Sequence, residues 1–243
     1  MLIINADDWG RDKTATDTAL ACHQSGRISS ATGMVFMADS QRAAELANSA
    51  GMDVGLHINF TDKFNDGACP EHISRHQSKI RSFLKKSKYA LLLYNPFLSR
   101  SFRCVFDAQL KEFTRIYGRA PSHFDGHQHM HLGTNMLVQK IIPAGQKVRR
   151  SFSFQRGEKN PANRAYRRMV DRSLARRFRL TDSFFALAQH LEPEKLAPVF
   201  DLAKTSNVEV MTHPWNRPEY DLLMSDSFAQ LAKGMQMASY AQL

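Results

Sequence analysis

The chain has 243 residues, a length that suits one large α/β domain or two small ones and allows a sizeable buried core. Hydrophobic residues make up 43% and charged residues 23% of the sequence, which argues against intrinsic disorder. Lys and Arg total 33 against 23 Asp and Glu, so the net charge of +10 favours an acidic partner or substrate.

Short β-rich runs alternate with longer segments of helical period, which is the pattern of repeated βα units. The candidate strands are 2–7, 30–37, 53–60, 122–127, 148–154, 180–186 and 207–212. Because seven parallel strands come close to a closed barrel, we predict one α/β domain over residues 1–243 with an irregular or seven-stranded (β/α) barrel. No internal repeat or interdomain linker interrupts it.

The first crossovers carry clear helix signals. Thr14 to Ser25 places apolar residues at spacings of three and four, with Gly26 just past the end. Asp39 or Ser40 can cap the next helix. We therefore expect the chain to begin with regular βα units.

Two segments are expected as insertions, at about 61–105 and 155–179. The first is too long for a single crossover, and Asp107 to Tyr117 then predicts the helix that leads into the fourth strand. Insertions at the carboxyl rim of a barrel commonly form substrate walls.

The second insertion lies in a strongly basic segment, 147–179, with twelve Lys or Arg residues against Glu158 and Asp171. Asn160 and Pro161 predict a helix start, followed by an apolar stripe bordered by arginines. One interpretation is a solvated helix face. The others are a lid over an anionic substrate, or contact of residues 156–179 with a membrane surface.

Cysteine usage and the short apolar runs bear on localisation. Cys22, Cys69 and Cys104 are odd in number and widely spaced, so we expect no disulfide framework and a reducing compartment. The apolar stretch at the N-terminus ends at Ile4, and Tyr89 to Tyr94 is too short to span a bilayer. We therefore expect a cytoplasmic protein.

Polar side chains end several of the predicted strands. Asp7 and Asp8 follow the first run, and His57 lies near the end of the third. Since side chains alternate along a strand, the backbone must turn for both aspartates to face the same rim. One aspartate can then bind a metal while its neighbour takes a proton from metal-bound water. An isolated Asp-Asp pair is otherwise a turn or a helix cap.

Four of the ten histidines fall within nine residues, at His123, His127, His129 and His131. His127 and His129 would share one strand face and His131 would begin the next loop, so not all need bind metal. One carboxylate and two imidazoles with open positions suit a hydrolytic metal site. Zinc is the usual ion for such ligands, while a carboxylate also allows magnesium, manganese or iron.

His213 ends the last strand, in Met211-Thr212-His213-Pro214. Its ordinary pKa near neutrality suits a general acid that protonates a departing amine. A histidine that only caps the strand before Pro214 is the structural alternative.

Four segments occur in order along nearly the whole chain, and their combination is specific: Asn5-Ala6-Asp7-Asp8-Trp9-Gly10, Gly55-Leu56-His57, Asp125-Gly126-His127-Gln128-His129-Met130-His131 and Met211-Thr212-His213-Pro214. In these segments the chain resembles the YdjC/ChbG-like carbohydrate deacetylases. The resemblance implies a barrel related to polysaccharide deacetylases and metal-dependent removal of an N-acetyl group from an amino sugar. It also implies that Asp8, His57 and His127 hold one divalent ion, Mg or Zn, with Asp7 as general base and His213 as general acid.

Two other classes of function stay open at this point. Two histidines and one carboxylate also form the facial triad of non-heme iron oxygenases, although Asp7 beside the ligand favours hydrolysis. A basic module that binds RNA or a membrane surface is the other class, but the chain has no recognisable RNA-binding motif, so a nucleic-acid partner is not expected. The expected partner is an N-acetylated sugar, either neutral, anionic or lipid-linked, and a homodimer is allowed.

Overall fold

The computed structural model describes residues 1–87, 89–154 and 161–243. Within them a parallel sheet of six strands has the order β4-β3-β2-β1-β6-β5. The strands are β1 Leu2–Trp9, β2 Ser30–Gly33, β3 Val54–Ile58, β4 Phe124–Gly126, β5 Ser183–Ala186 and β6 Val208–Thr212. This arrangement confirms the predicted α/β class.

Helices connect the strands. In the described ranges they are α1 Lys13–Gln24, α2 Ser40–Ala50, α3 Glu71–Leu84, α4 Ser99–Tyr117, α5 Thr134–Val138, α6 Pro161–Ala175, α7 Pro193–Ala203, α8 Arg217–Met224 and α9 Asp226–Ala232. None of these described helices combines the length and apolar character needed to cross a bilayer.

The first two helices lie close to their predicted positions. Asp12 caps α1, since its side chain accepts a hydrogen bond from the Ala15 N–H. Asp39 precedes α2 as expected, but its side chain makes no capping bond and instead pairs with Arg42. The helix predicted over 107–117 is the second half of the longer α4.

The predicted insertions divide into described and undescribed parts. The first, 61–105, contains α3 and the start of α4. In the second, α6 begins at Pro161 as predicted. Asn160 and the rest of 155–160 lie outside the described residues.

The strand predicted over 148–154 is wrong. Val148 pairs with Phe124 only as an isolated bridge, and the Ser153 N–H donates to the Phe184 carbonyl. The segment therefore contacts both edge strands without forming a regular ladder. At Ser151 the backbone N–H donates to the Asp171 carboxylate instead of to a neighbouring strand. The seven-stranded barrel is accordingly not confirmed.

The two faces of the sheet differ in polarity. Leu2, Ile4 and Val210 belong to the main hydrophobic core, which the helices cover. On the other face, residues of opposite parity include fully buried polar side chains such as Asn5 and Glu209, beside a small apolar cluster of Phe184, Ala186 and Met211. Buried polar groups require partners, so the polar side chains of this second face must contact hydrogen-bonding or charged groups.

Gly55, two residues before His57, provides a test of packing below the site. An added Cβ would lie 2.4 Å from His123 Nδ1 and 2.7 Å from the His123 carbonyl oxygen. We expect Gly55→Ala to lower the free energy of unfolding by about 1–3 kcal/mol, because β3 must move away from β4. Urea denaturation measures this value. Gly67→Ala is the matched control, since its Cβ would have no neighbour within 4 Å; an equal loss in both variants would contradict the packing argument.

Candidate metal and active site

A β-bulge explains how two adjacent aspartates reach the same site. From Ala6 to Trp9, strand β1 advances three residues while β2 advances two, from Ala31 to Gly33. Asp8 has a φ of 64°, in the left-handed region that non-glycine residues rarely adopt. The turn predicted after the strand is therefore made by Asp8 itself, and it removes the strict alternation that would separate the two carboxylates.

Asp8, His57 and His127 converge at the carboxyl ends of β1, β3 and β4. Asp8 Oδ1 lies 3.4 Å from His57 Nε2 and 3.1 Å from His127 Nδ1. One potential ligand atom from each residue falls within 4.8 Å of the others. The structure thus brings together the three residues expected as metal ligands.

Each of these side chains is fixed by a second partner. His57 Nδ1 lies 2.7 Å from Asp125 Oδ1, and His127 Nε2 lies 3.5 Å from Asp62 Oδ2. Such outer partners orient imidazoles around metal ions.

The second oxygen of Asp8 is also engaged. Asp8 Oδ2 accepts hydrogen bonds from Trp215 Nε1 at 3.0 Å and from Arg11 at 2.8 Å. The Arg11 guanidinium lies over the Trp215 ring, 4.3 Å from its centroid. These contacts leave Oδ1 facing the two imidazoles.

The electrostatics of this cluster fit a cation. Burial alone would lower the pKa of His57, but Asp125 and Asp8 raise it to about 10. Burial alone would likewise raise the pKa of Asp8, yet hydrogen bonds with His127 and His57 hold it below its ordinary value. The surrounding carboxylates therefore favour positive charge at His57, where a proton supplies it. An ion bound there would displace that proton.

Asp7, His57 and Asp125 form a second cluster of possible ligand atoms. In this cluster the Arg149 guanidinium already neutralises the carboxylates, because it contacts Asp7 at 2.6 Å and Asp125 at 2.7 Å. The first cluster is consequently the better candidate for an ion site.

Arg149 is fully buried on the polar face of the sheet. It contacts three carboxylates on three strands: Asp7, Asp125 and, at 2.7 Å, Glu209. Burial alone would raise the pKa of Asp7, but Arg149 outweighs burial and holds it below the ordinary range. Glu209 also accepts a short hydrogen bond of 2.5 Å from the Tyr240 hydroxyl, and burial raises its pKa to about 7.

His213 faces the same site from the end of β6. Its Nδ1 lies 3.5 Å from Glu219 Oε1, and its backbone N–H donates to Glu219 Oε2 at 3.0 Å. Burial alone would lower the pKa of His213, whereas Glu219, Asp7 and Asp8 raise it above its ordinary value. About a quarter of the His213 side chain, 26%, stays exposed, so the imidazole is accessible to a substrate.

The other clustered histidines have structural surroundings. Strand β4 ends at Gly126, so His127 and His129 do not share a strand face as expected; His129 lies in a turn with φ 58°. Its ring packs against Phe152 with centroids 4.6 Å apart. His123 stacks on Tyr240, and His131 Nε2 lies 3.0 Å from the Arg149 carbonyl oxygen.

Sequence reasoning missed the residues that support the predicted ones: Arg11, Asp62, Asp125, Arg149, Glu209, Trp215 and Glu219. A signal existed for Asp125, because a buried histidine such as His57 needs a hydrogen-bonding partner. Arg149 had no such signal, since it looks like its neighbours in the basic segment.

Comparison with known families identifies the chain. The sequence model described as "YdjC-like protein" matches residues 1–234. The chain belongs to the YdjC-like family.

Curated relatives match this YdjC-like chain over part of their length. A chitooligosaccharide deacetylase from Serratia marcescens is 30% identical over 133 residues, which cover 54% of this chain and 51% of the relative. A carbohydrate deacetylase from Mus musculus is 32% identical over 136 residues, or 54% of this chain and 43% of the relative. The matches therefore span about half the length of these relatives.

Among solved structures, the fold resembles that of a protein from Enterococcus faecalis V583 named a "putative cellobiose-phosphate cleavage protein". The TM-score is 0.71 at 17% identity, and the match covers 99% of this chain and 97% of the other. This likeness concerns the fold of the YdjC-like chain over its whole length.

The contact between Asp125 and His57 generates a prediction. We expect Asp125→Asn to weaken Zn²⁺ or Mn²⁺ binding by about 10–100-fold. The asparagine amide would orient the His57 imidazole less firmly than the carboxylate does, and it would not supply the negative charge of the carboxylate. Titration calorimetry on the full chain measures the affinity. Thr32→Val is the matched control: it removes the 3.0 Å hydrogen bond to the other Asp125 oxygen, together with the hydroxyl contacts to Asn5 and Asp7, but leaves the His57 contact in place. Unchanged affinity in Asp125→Asn would contradict the assignment.

Proposed function

We propose that this protein is a metal-dependent carbohydrate deacetylase that hydrolyses the N-acetyl group of an amino sugar and releases acetate. The observation that carries the proposal is the convergence of Asp8, His57 and His127 beside the Asp7–Arg149 pair and His213. The names of the curated relatives agree with this activity. We further propose that residues 1–243 form one domain that carries the whole site.

Asp8, His57 and His127 would hold one divalent ion, with Zn²⁺ or Mg²⁺ as the first choices. When bound, such an ion supplies a lowered pKa for water and polarisation of the acetyl carbonyl. Two imidazoles and one carboxylate leave coordination positions for other ligands.

Asp7 would accept the proton of the attacking water. Arg149 keeps its carboxylate ionised and holds both oxygens in fixed directions. A carboxylate with a lowered pKa is a weak base, so Asp7 can act only on a water whose own pKa is strongly lowered. This requirement couples the base to the ion site.

His213 would protonate the departing amine. Because Glu219 raises the pKa of His213, a larger fraction of the imidazole is protonated at neutral pH than in free histidine. The proton is therefore available at the stage when the amide C–N bond breaks.

The basic surface favours an anionic form of the sugar. Arg150, Arg164, Arg167 and Arg168 line a small cavity next to Phe152, and Asp171, which pairs with Arg150, also belongs to its lining. The Phe152 ring also contacts Phe184, which in turn lies 4.9 Å from the Arg149 guanidinium. A phosphorylated or lipid-linked amino sugar is thus a stronger candidate than a neutral one.

Acetate release tests the proposed function. The full chain, stripped with a chelator, is incubated with Mg²⁺, Mn²⁺ or Zn²⁺ and a panel of neutral, phosphorylated and lipid-linked N-acetyl amino sugars. We expect acetate from at least one sugar only after an ion is added. No acetate from any combination, or release that ignores the chelator, would contradict the proposal. Oxygen consumption with Fe²⁺ would instead support the oxygenase interpretation.

Substitution of Asp7 separates its role from metal binding. We expect Asp7→Asn to retain ion affinity while turnover falls on the order of 10²-fold or more, because the proton acceptor is lost. Steady-state kinetics and titration calorimetry together measure both effects. Glu209→Gln is the matched control, since Glu209 also contacts Arg149; an equally large loss there would assign the effect to Arg149 rather than to Asp7.

The contact between Glu219 and His213 predicts a change in pH dependence. Since Glu219 raises the pKa of His213, Glu219→Gln should lower it. The protonated acid is lost as pH rises through this pKa, so the alkaline decline of kcat should move to lower pH. A pH–rate profile measures the shift, and His213→Gln should abolish this limb. An alkaline limb that stays in place in Glu219→Gln would refute the general-acid role.

A further inference from the structure

A cavity of about 820 Å³ lies between α6, α5 and the segment that leads into Arg149. Its lining includes none of Asp8, His57 and His127, so it is distinct from the proposed ion site. The volume falls within the range of about 300–1,000 Å³ that is typical of small-molecule sites.

The wall of this cavity is apolar and reaches into the core. Met136, Ile142, Val148 and Leu174 line it, and each is at most 4% exposed. Protein interiors are close-packed, so a void of this size beside core side chains is uncommon. Aliphatic side chains such as these favour hydrocarbon over water, because they offer water no hydrogen bond.

The mouth of the cavity is cationic. Exposed Lys140, Arg168, Arg172 and Arg176 belong to its lining, together with half-buried Arg177. Among the described lining residues there is no Asp or Glu. Such a rim attracts a single anionic group and repels a cation.

In the described ranges, the acidic side chain of α6 does not neutralise these cations. Asp171, the acidic residue of α6, pairs with Arg150 at 2.7 Å and lines other cavities. His131, the histidine among the described lining residues, is buried, and burial keeps its pKa well below the ordinary value, so it adds no positive charge at neutral pH. The described part of the cavity therefore combines a hydrocarbon-like interior with a cationic rim.

We propose that this cavity binds an anionic single-chain amphiphile, with the hydrocarbon chain against Met136, Ile142 and Val148 and a phosphate or carboxylate head at Arg172 and Arg176. This binding site shares no residue with the ion cluster, although Arg168 lies both in its rim and among the arginines proposed to favour an anionic sugar. Its inner wall adjoins the site all the same, because Val148 directly precedes Arg149 and His131 contacts the Arg149 carbonyl oxygen.

Calorimetric titration of the full chain tests the proposal with defined probes. Dodecyl phosphate, kept below its micelle concentration, should bind at least about tenfold more tightly than neutral dodecyl maltoside, and its affinity should fall with added salt. Inorganic phosphate alone should not bind measurably, since most of the contact is with the chain. Binding of phosphate and dodecyl phosphate with equal affinity would overturn the role of the apolar wall.

Two pairs of variants locate the site. Ser173 lines the cavity at an exposed position of α6, so Ser173→Trp should fill the entrance and weaken dodecyl phosphate binding about tenfold or more. Ala175→Trp, also exposed on α6 but outside this lining, is its control. The double substitution Arg172→Glu and Arg176→Glu should remove the preference for an anionic head, whereas Arg179→Glu, exposed and outside the lining, should retain it.

Vesicles distinguish a dispersed ligand from a bilayer surface. Sedimentation with phosphatidylglycerol vesicles is compared with binding of dispersed dodecyl phosphate. Binding to vesicles alone, with no binding of the dispersed amphiphile, would overturn the cavity proposal in favour of surface docking. Equal affinities in Ser173→Trp and Ala175→Trp would overturn it as well. None of these readouts requires acetate release, so failure here and failure of the proposed deacetylase activity are separable.

Discussion

Arg149 contacts one carboxylate on each of β1, β4 and β6, and it does so without exposure to solvent. Removing one partner of a buried ion pair typically costs about 3–5 kcal/mol, because the remaining charge stays buried without compensation. The polar face of the sheet therefore depends on this guanidinium. The same contacts hold Asp7 ionised and use one oxygen of Asp125, which leaves the other oxygen to orient His57. The stability of this face and the geometry of the site therefore have a common origin.

The local charge balance explains why this face suits a cation. The carboxylates of Asp7, Asp8 and Asp125 are buried together with the guanidinium of Arg149. Arg11 contacts Asp8 from the partly exposed side. The imidazoles of His57 and His127 face Asp8 and draw positive charge toward it. A strained backbone at Asp8 makes this convergence possible, and strain of this kind is typically tolerated where function requires a particular geometry.

The parts of the fold and site that could be predicted are those with a local pattern. Strand ends at Asp8, His57 and His213 were located because the carboxyl ends of parallel strands meet at one rim. The pattern at 148–154 misled, since Val148, Phe152 and Phe154 alternate like a strand while Ser151 bonds to the distant Asp171. Arg149 and the left-handed Asp8 depend on tertiary contacts, and such contacts leave no signal in neighbouring residues.

Anomalous diffraction from crystals grown with Mn²⁺ or Zn²⁺ would show whether Asp8, His57 and His127 bind an ion, because it locates the ion independently of activity. We expect one peak about 2.0–2.3 Å from a carboxylate oxygen of Asp8 and from one imidazole nitrogen each of His57 and His127. Asp7 should lie outside the coordination sphere with its contacts to Arg149 intact. A peak between Asp7, His57 and Asp125 instead, or none at either cluster, would rule out the proposed ion site.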